Sequence, residues 1–226
     1  MTDDRKSGIA LIAGSFGGII TMAIHPTAGG PLTPEQVEHL ATASAIAHSL
    51  AMISFVLVFL GACGLVRRMA AADRIAFSGL VVYGVACVAV LIATAVSGFI
   101  VPDMMRLMAH DVPAAAQQWR LMISSIFQIN QAFSRIYTVA ASLAIILWSV
   151  SALRNGGLSR KVAAYGCVIA PLIILGIVSG HLRMNVHGMG AVVLGQAIWF
   201  VVAGTELYSA ANVHPESGAS RATATL

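Results

Sequence analysis

The sequence predicts an all-α polytopic membrane protein, six transmembrane helices gathered in one bundle, and three observations carry that expectation. Of the 226 residues, 58% are hydrophobic and only 10% charged, with a mean hydropathy of +0.85, whereas soluble domains carry about a quarter charged residues. Six segments run for roughly 18 or more apolar residues, and such a run crosses a bilayer as a helix because lipid offers peptide groups no other partner. The basic residues, finally, alternate with these segments. With the N-terminus placed inside, Arg5, Lys6, Arg67, Arg68, Arg74, Arg154, Arg160, Lys161 and Arg221 fall on the inner side; only Arg106, Arg120, Arg135 and Arg183 fall on the outer side. That inner excess at helix ends is the bias that orients membrane proteins. The expected location is therefore a cell inner membrane of bacterial type, crossed six times with both termini cytoplasmic.

The same distribution argues against nucleic acid as a partner. A pI near 9.3 would suggest it only if the cations clustered on one face or element, and here they follow topology. Three cysteines are too few for a disulfide framework. Cys63 precedes Arg67 by one helical turn and Cys87 and Cys167 fall inside spans, so all three read as reduced, small apolar side chains.

The first span is expected over residues 8 to 25, uncleaved, ending at His25 because the residue before a proline is pushed out of the helical region. Its Gly14-x-x-x-Gly18 suits close helix contact. Residues 26 to 38 form an outer loop, in which Thr33-Pro34-Glu35-Gln36 combines an N-cap, a proline at the first helical position and a glutamine at the third. The helix starting there runs through His39 and His48 into the second span, to Arg67. The third span covers residues 75 to 101 and stops at Pro102-Asp103. After a loop over residues 103 to 118, a helix from near Pro113 to Leu153 carries the fourth span. Its first half, with Gln117, Gln118, Arg120, Gln128, Asn130 and Gln131, must stand above the bilayer or line a polar cleft. The fifth span lies over 162 to 180, with Gly176-x-x-x-Gly180, and the sixth over 187 to 208. Residues 1–7 are then a cytoplasmic N-terminus, 8–209 the membrane domain and 210–226 a polar tail expected to be disordered.

Tyr83-Gly84 precedes Ser97-Gly98 by 14 residues, as Tyr165-Gly166 precedes Ser179-Gly180. His48 to Arg67, Arg135 to Arg154 and His187 to Glu206 each span 19 residues, about 28 Å of helix. Three tandem helical hairpins would explain both, with His48, Arg135 and His187 at one depth.

Function is sought on the outer side, where six of the seven histidines and eight of the ten methionines fall. The candidate ligand-binding set is His25, His48, Asp103, Gln131, Arg135, His181, Arg183 and His187, since polar groups within spans face other helices or a water-filled cavity. A small ligand, a metal or a lipid headgroup would suit it, in a binding protein or accessory subunit. Redox chemistry is one alternative: haem iron held by His48 and His187 from opposite sides, or copper, which suits imidazole with thioether. Metal-dependent hydrolysis with His25, His181, His187 and Asp103 is another, although Ser97 and Ser179 make no GxSxG elbow. A small transporter lined by Gln128, Asn130, Gln131 and Arg135 is a third. For any single residue, helix capping, interfacial anchoring and gap filling compete with all of these. Arg135 calls for an anionic partner, Asp103 or a ligand, and Glu206 for an arginine such as Arg67 or Arg154.

Overall fold

A computed structural model describes residues 2–27, 32–69 and 73–210; the tail and residues 28–31 of the first outer loop lie outside the described residues. Six helices are long and apolar enough to cross a membrane: α1 (Asp3–Ala23), α2 (Pro34–Arg68), α3 (Arg74–His110), α4 (Ala116–Asn155), α5 (Arg160–Val178) and α6 (Val186–Ala210). There is no strand among the described residues. The helices close into a ring in chain order, with α1 packed on α2 and α6, α4 packed on α3 and α5, and lighter α2–α3 and α5–α6 contacts completing it. Three separate hairpins are thus not set apart, because α5 leans more on α4 than on its partner α6.

The helix ends follow the local signals. Thr33 Oγ1 accepts from the Gln36 backbone N–H while Gln36 Oε1 accepts from the Thr33 N–H at 2.9 Å, a complete capping box. Asp73 caps α3 through Ile75 N–H at 2.9 Å and also accepts from Ser151 Oγ and Asn155 Nδ2 on α4. At the α4–α5 turn, Gly156 and Gly157 take φ of 82° and 94°, a region open to glycine and strained for most side chains.

The third helix differs from the expectation that Pro102-Asp103 stops it. It continues to His110, and the loop shrinks to Asp111 through the 3-10 turn Pro113–Ala115. A proline breaks a helix because it lacks an N–H and its ring meets the carbonyl four residues back. Here Val96–Ile100 form a π turn, with Val101 N–H bonded to the Val96 carbonyl, and Pro102 falls in the first turn of the segment that follows. The widened turn shifts the register so that the missing N–H costs little.

On α1 the packing runs opposite to that of a water-soluble bundle, with small residues inward and large apolar ones outward. The buried face of α1 is Ser7, Gly8, Leu11, Gly14, Ser15, Gly17 and Thr21, while Ile9, Phe16, Ile20 and Ile24 are exposed. Small residues let backbones approach where lipid removes the hydrophobic force between helices. Gly8 and Gly204 meet almost backbone to backbone across α1 and α6, and Gly14 lies on the Ser54–Val58 backbone of α2. The second glycine motif does something else: Gly176 faces Leu182 in the following loop, and nothing lies within 4 Å of a Cβ built on Gly180. Ser97-Gly98 sits in a π turn whereas Ser179-Gly180 ends α5, Gly180 with φ 74°, so the sequence repeat does not carry one local structure.

At 1.5 Å per residue, α2, α3 and α4, with 35, 37 and 40 residues, run about 50 to 60 Å, well beyond α1, α5 and α6. The excess lies at the His25 end of the bundle. There Arg106 of α3 bonds Glu38 of α2 and Asp103 of its own helix, each at 2.9 Å. At the Arg67 end an aromatic group fills the axis: Trp148 stacks on Trp199 with centroids 5.8 Å apart, and Tyr83 and Phe200 close around them.

Candidate functional site

The bundle holds an open cavity of about 300 Å³ whose exposed lining residues, Phe127 and Asn185, lie at the His25 end. Every helix except α5 contributes. Its walls in the deep half are Phe55, Val58, Tyr83 and Phe200, and its upper part carries His25, His48, Asn130, Gln131 and Ser134. Three methionines, Met22, Met184 and Met189, also face it. Among the described residues, no Asp, Glu, Lys or Arg lines it. Pockets of this kind, mostly apolar with a few fixed polar groups, are the usual form of small-molecule sites.

The α4 contribution follows from helical spacing. Phe127, Asn130, Gln131, Ser134 and Tyr137 recur three and four residues apart and so share one face. Asn130 is 7% exposed, and its Oδ1 is buried without a hydrogen-bond partner; Ser15 Oγ on α1 is in the same condition. Unsatisfied buried polar atoms in a native fold call for an explanation, and both residues belong to the cavity lining.

The histidine pair is built by the ends of two chain segments. α1 ends at Ala23, and His25 lies two residues beyond it, just before Pro26, with its ring against His48 of α2. His48 is 6% exposed, and its Nδ1 lies 2.8 Å from the Ser44 carbonyl. His25 Nδ1 lies 3.1 Å from the Pro26 carbonyl. A carbonyl only accepts, so each Nδ1 carries a hydrogen, and a ring with no second hydrogen keeps a bare Nε2 lone pair. The two rings stand edge to face, centroids 5.0 Å apart. Ser44 Oγ donates onward to the Ser97 carbonyl in the π turn, at 3.1 Å.

Below them, Tyr137 donates to Gln196 Oε1 at 3.2 Å and Gln196 Nε2 donates to Ser142 Oγ at 3.1 Å. Gln196 is buried, and the chain of bonds joins α4 to α6.

The structure gathers three of the eight sequence candidates, His25, His48 and Gln131, and places the other five elsewhere. Arg135 follows Ser134 and is turned about 100° away from it around the helix; it is exposed. Asp103 bonds Arg106, not Arg135. His187 lies between Val186 and Met189, which face the cavity, and points outward; His181 and Arg183 are exposed as well. His181 Nδ1 contacts Ser179 Oγ at 2.9 Å. The axial pairing of His48 with His187 is therefore replaced by His48 with His25, and among the described residues no three His, Cys, Asp or Glu side chains are grouped as a metal would need. Glu206 accepts from the Ser159 N–H at 2.8 Å rather than meeting an arginine.

The sequence reading missed Ser15, Ser134, Tyr137 and Gln196 as members of the site. Gln196 had a signal, being an uncharged polar residue inside an apolar run. Such a residue calls for partners within the bundle as an ionisable one does. Comparison with known protein families, curated proteins and solved structures gives no match to this chain.

Proposed function

We propose that this chain is a multi-pass inner-membrane protein, both termini cytoplasmic, that binds a small uncharged amphipathic molecule in the cavity between its helices. The exposed apolar surface supports the membrane placement: large side chains such as Phe16, Ile53, Val88 and Leu172 are exposed around the bundle, an apolar girdle that water would penalise and lipid would not. The charge bias supports the orientation, which puts the cavity mouth on the periplasmic side.

One observation carries the ligand reading: Asn130, whose buried Oδ1 has no partner, belongs to the lining of a cavity that no charged side chain lines among the described residues. A charged ligand would lose its hydration there without a counter-charge. A neutral molecule with a hydroxyl or amide donor satisfies Asn130, with Gln131 and the imidazoles nearby, and lays its apolar part against Phe55, Tyr83 and Phe200. A transport route has less support, because the Trp148–Trp199 stack and Phe200 fill the axis toward the Arg67 end.

Native mass spectrometry of protein extracted in a mild detergent, followed by thermal unfolding with neutral phenols and alcohols, tests the reading. Neutral hydroxyl compounds should raise the melting temperature, and carboxylates and amines of the same size should not. Ala93→Leu, which extends a side chain into the cavity, and Asn130→Leu should abolish the rise. Equal stabilisation of both variants, or stabilisation by charged compounds alone, would refute the assignment.

A further inference from the structure

We propose that the mouth of the cavity is also a binding site for monovalent copper, held by Nε2 of His25, Nε2 of His48 and the thioether of Met22. The argument begins with the two rings. Both spend their Nδ1 hydrogen on a backbone carbonyl, which fixes the tautomer and aims the other nitrogen, the arrangement that orients metal-bound histidines. Among the described residues, neither Nε2 has a hydrogen-bond partner, and both rings face one cavity. Imidazoles sharing one ion through nitrogens about 2 Å from it have centroids roughly 5 to 6 Å apart; these two are 5.0 Å apart.

The choice of ion follows from what the site lacks. Among the described residues, no carboxylate and no cysteine lines the cavity, so a divalent ion would carry two uncompensated charges into an apolar enclosure. A soft monovalent ion carries one, and it favours thioether with imidazole. Met22 stands one turn before His25 and faces the same space, and its sulfur makes no hydrogen bond among the described residues. Met184, by contrast, already accepts from Thr138 Oγ1 at 3.7 Å.

Anaerobic titration of the detergent-solubilised chain with Cu(I), in competition with a chromogenic Cu(I) chelator, measures the site, and copper X-ray absorption reads its ligands. The expected result is one ion per chain, bound through two imidazoles and one sulfur. Outer partners of metal ligands alone are worth about 10- to 100-fold in affinity, so His25→Ala and His48→Gln should each weaken binding by at least about 100-fold. Met22→Leu should weaken it less, with loss of the sulfur signal. His181→Ala and His187→Ala, outside the cavity, should bind as the wild type does. His48 packs on α3, so melting temperatures accompany its variant, while His25 lies beyond the end of α1 and tests the site without a core substitution. No retained ion in the wild type, unchanged affinity in His25→Ala, or zinc held as tightly as copper would each overturn the proposal. The neutral-ligand reading is scored separately by Asn130→Leu and Ala93→Leu.

Discussion

His48 rests on the bare backbone of Gly98: a Cβ built at Gly98 would collide with the His48 Cβ and lie 2.8 Å from its Cγ. The contact sits in the π turn of α3, where the Ser97 carbonyl also receives the Ser44 hydroxyl. The position of the imidazole thus depends on a residue 50 positions away having no side chain. Gly98→Ala should lower stability by about 1–3 kcal/mol, the usual range for overpacking, and should turn the His48 ring away from His25. Thermal unfolding of Gly98→Ala, His48→Gly and the double variant forms a cycle. The double variant should recover much of the loss seen in Gly98→Ala, since both the colliding Cβ and the ring are gone; additive losses would show that the glycine serves the backbone alone.

The bonds at Gln196 lead to a second expectation. Tyr137→Phe removes the donor to Gln196 Oε1 and leaves that oxygen buried against an aromatic ring. The loss should be about 0.5–2 kcal/mol, between the average measured for hydrogen bonds in membrane bundles and the cost of a buried unsatisfied group. Gln196→Leu removes both bonds at once and should cost at least as much. Unfolding in mixed detergent, at several denaturant ratios, gives the comparison.

Much of the fold was legible in the sequence because its signals are local. The Thr33–Gln36 capping box, the charge-free runs and the end of α1 before Pro26 each depend on a few neighbouring residues. Pro102 misled because the compensating π turn lies just before it and has no composition of its own. The site was legible only in part, for a geometric reason. Depth along a helix can be counted in residues, which put His48 and Arg135 near the same level, but direction around it is set by packing. Ser134 and Arg135 differ by one residue and by about 100°, so one faces the cavity and the other faces out. His187, between Val186 and Met189, failed in the same way. The His25–His48 contact had no sequence signal at all, being made across a loop by a ring that has just left its helix.

Asp73 provides a test by pH. Its carboxylate accepts from Ser151 Oγ, the Ile75 N–H and Asn155 Nδ2, and these bonds, that from Ser151 foremost, hold its pKa below the ordinary aspartate range. A group whose pKa is lowered by folding adds stability above its unfolded value, near 3.9. That contribution fades as pH falls through the lower folded value. Asp73→Asn should therefore be less stable than the wild type at neutral pH, and the two melting curves should converge as the medium is acidified below the ordinary aspartate range. A constant gap at all pH values would mean that the carboxylate's charge is immaterial. Asp73→Ala should cost about 1 kcal/mol more through the lost N-cap.

The two glycines of the first motif should behave differently although the sequence treats them alike. A Cβ on Gly14 would stand 2.9 Å from the Val58 backbone nitrogen and 2.6 Å from the Ser54 carbonyl oxygen of α2. Backbone cannot step aside as a flexible side chain can, so Gly14→Ala must push α1 and α2 apart and open the wall of the cavity that Gly14, Ser54 and Val58 share. A Cβ on Gly18 meets only Val193 Cγ1, at 3.7 Å, which is ordinary contact. Gly18→Ala should be neutral or slightly stabilising, because alanine loses less backbone freedom than glycine when a helix forms. Melting temperatures of the two variants, with Gly8→Ala as a second backbone-limited case beside Gly204, would rank them. The expected order is Gly18→Ala near the wild type and the other two well below it. Equal tolerance at Gly14 and Gly18 would mean that α1 and α2 do not approach as closely as the Gly14–Val58 contact requires, and the cavity would lose that part of its deep wall.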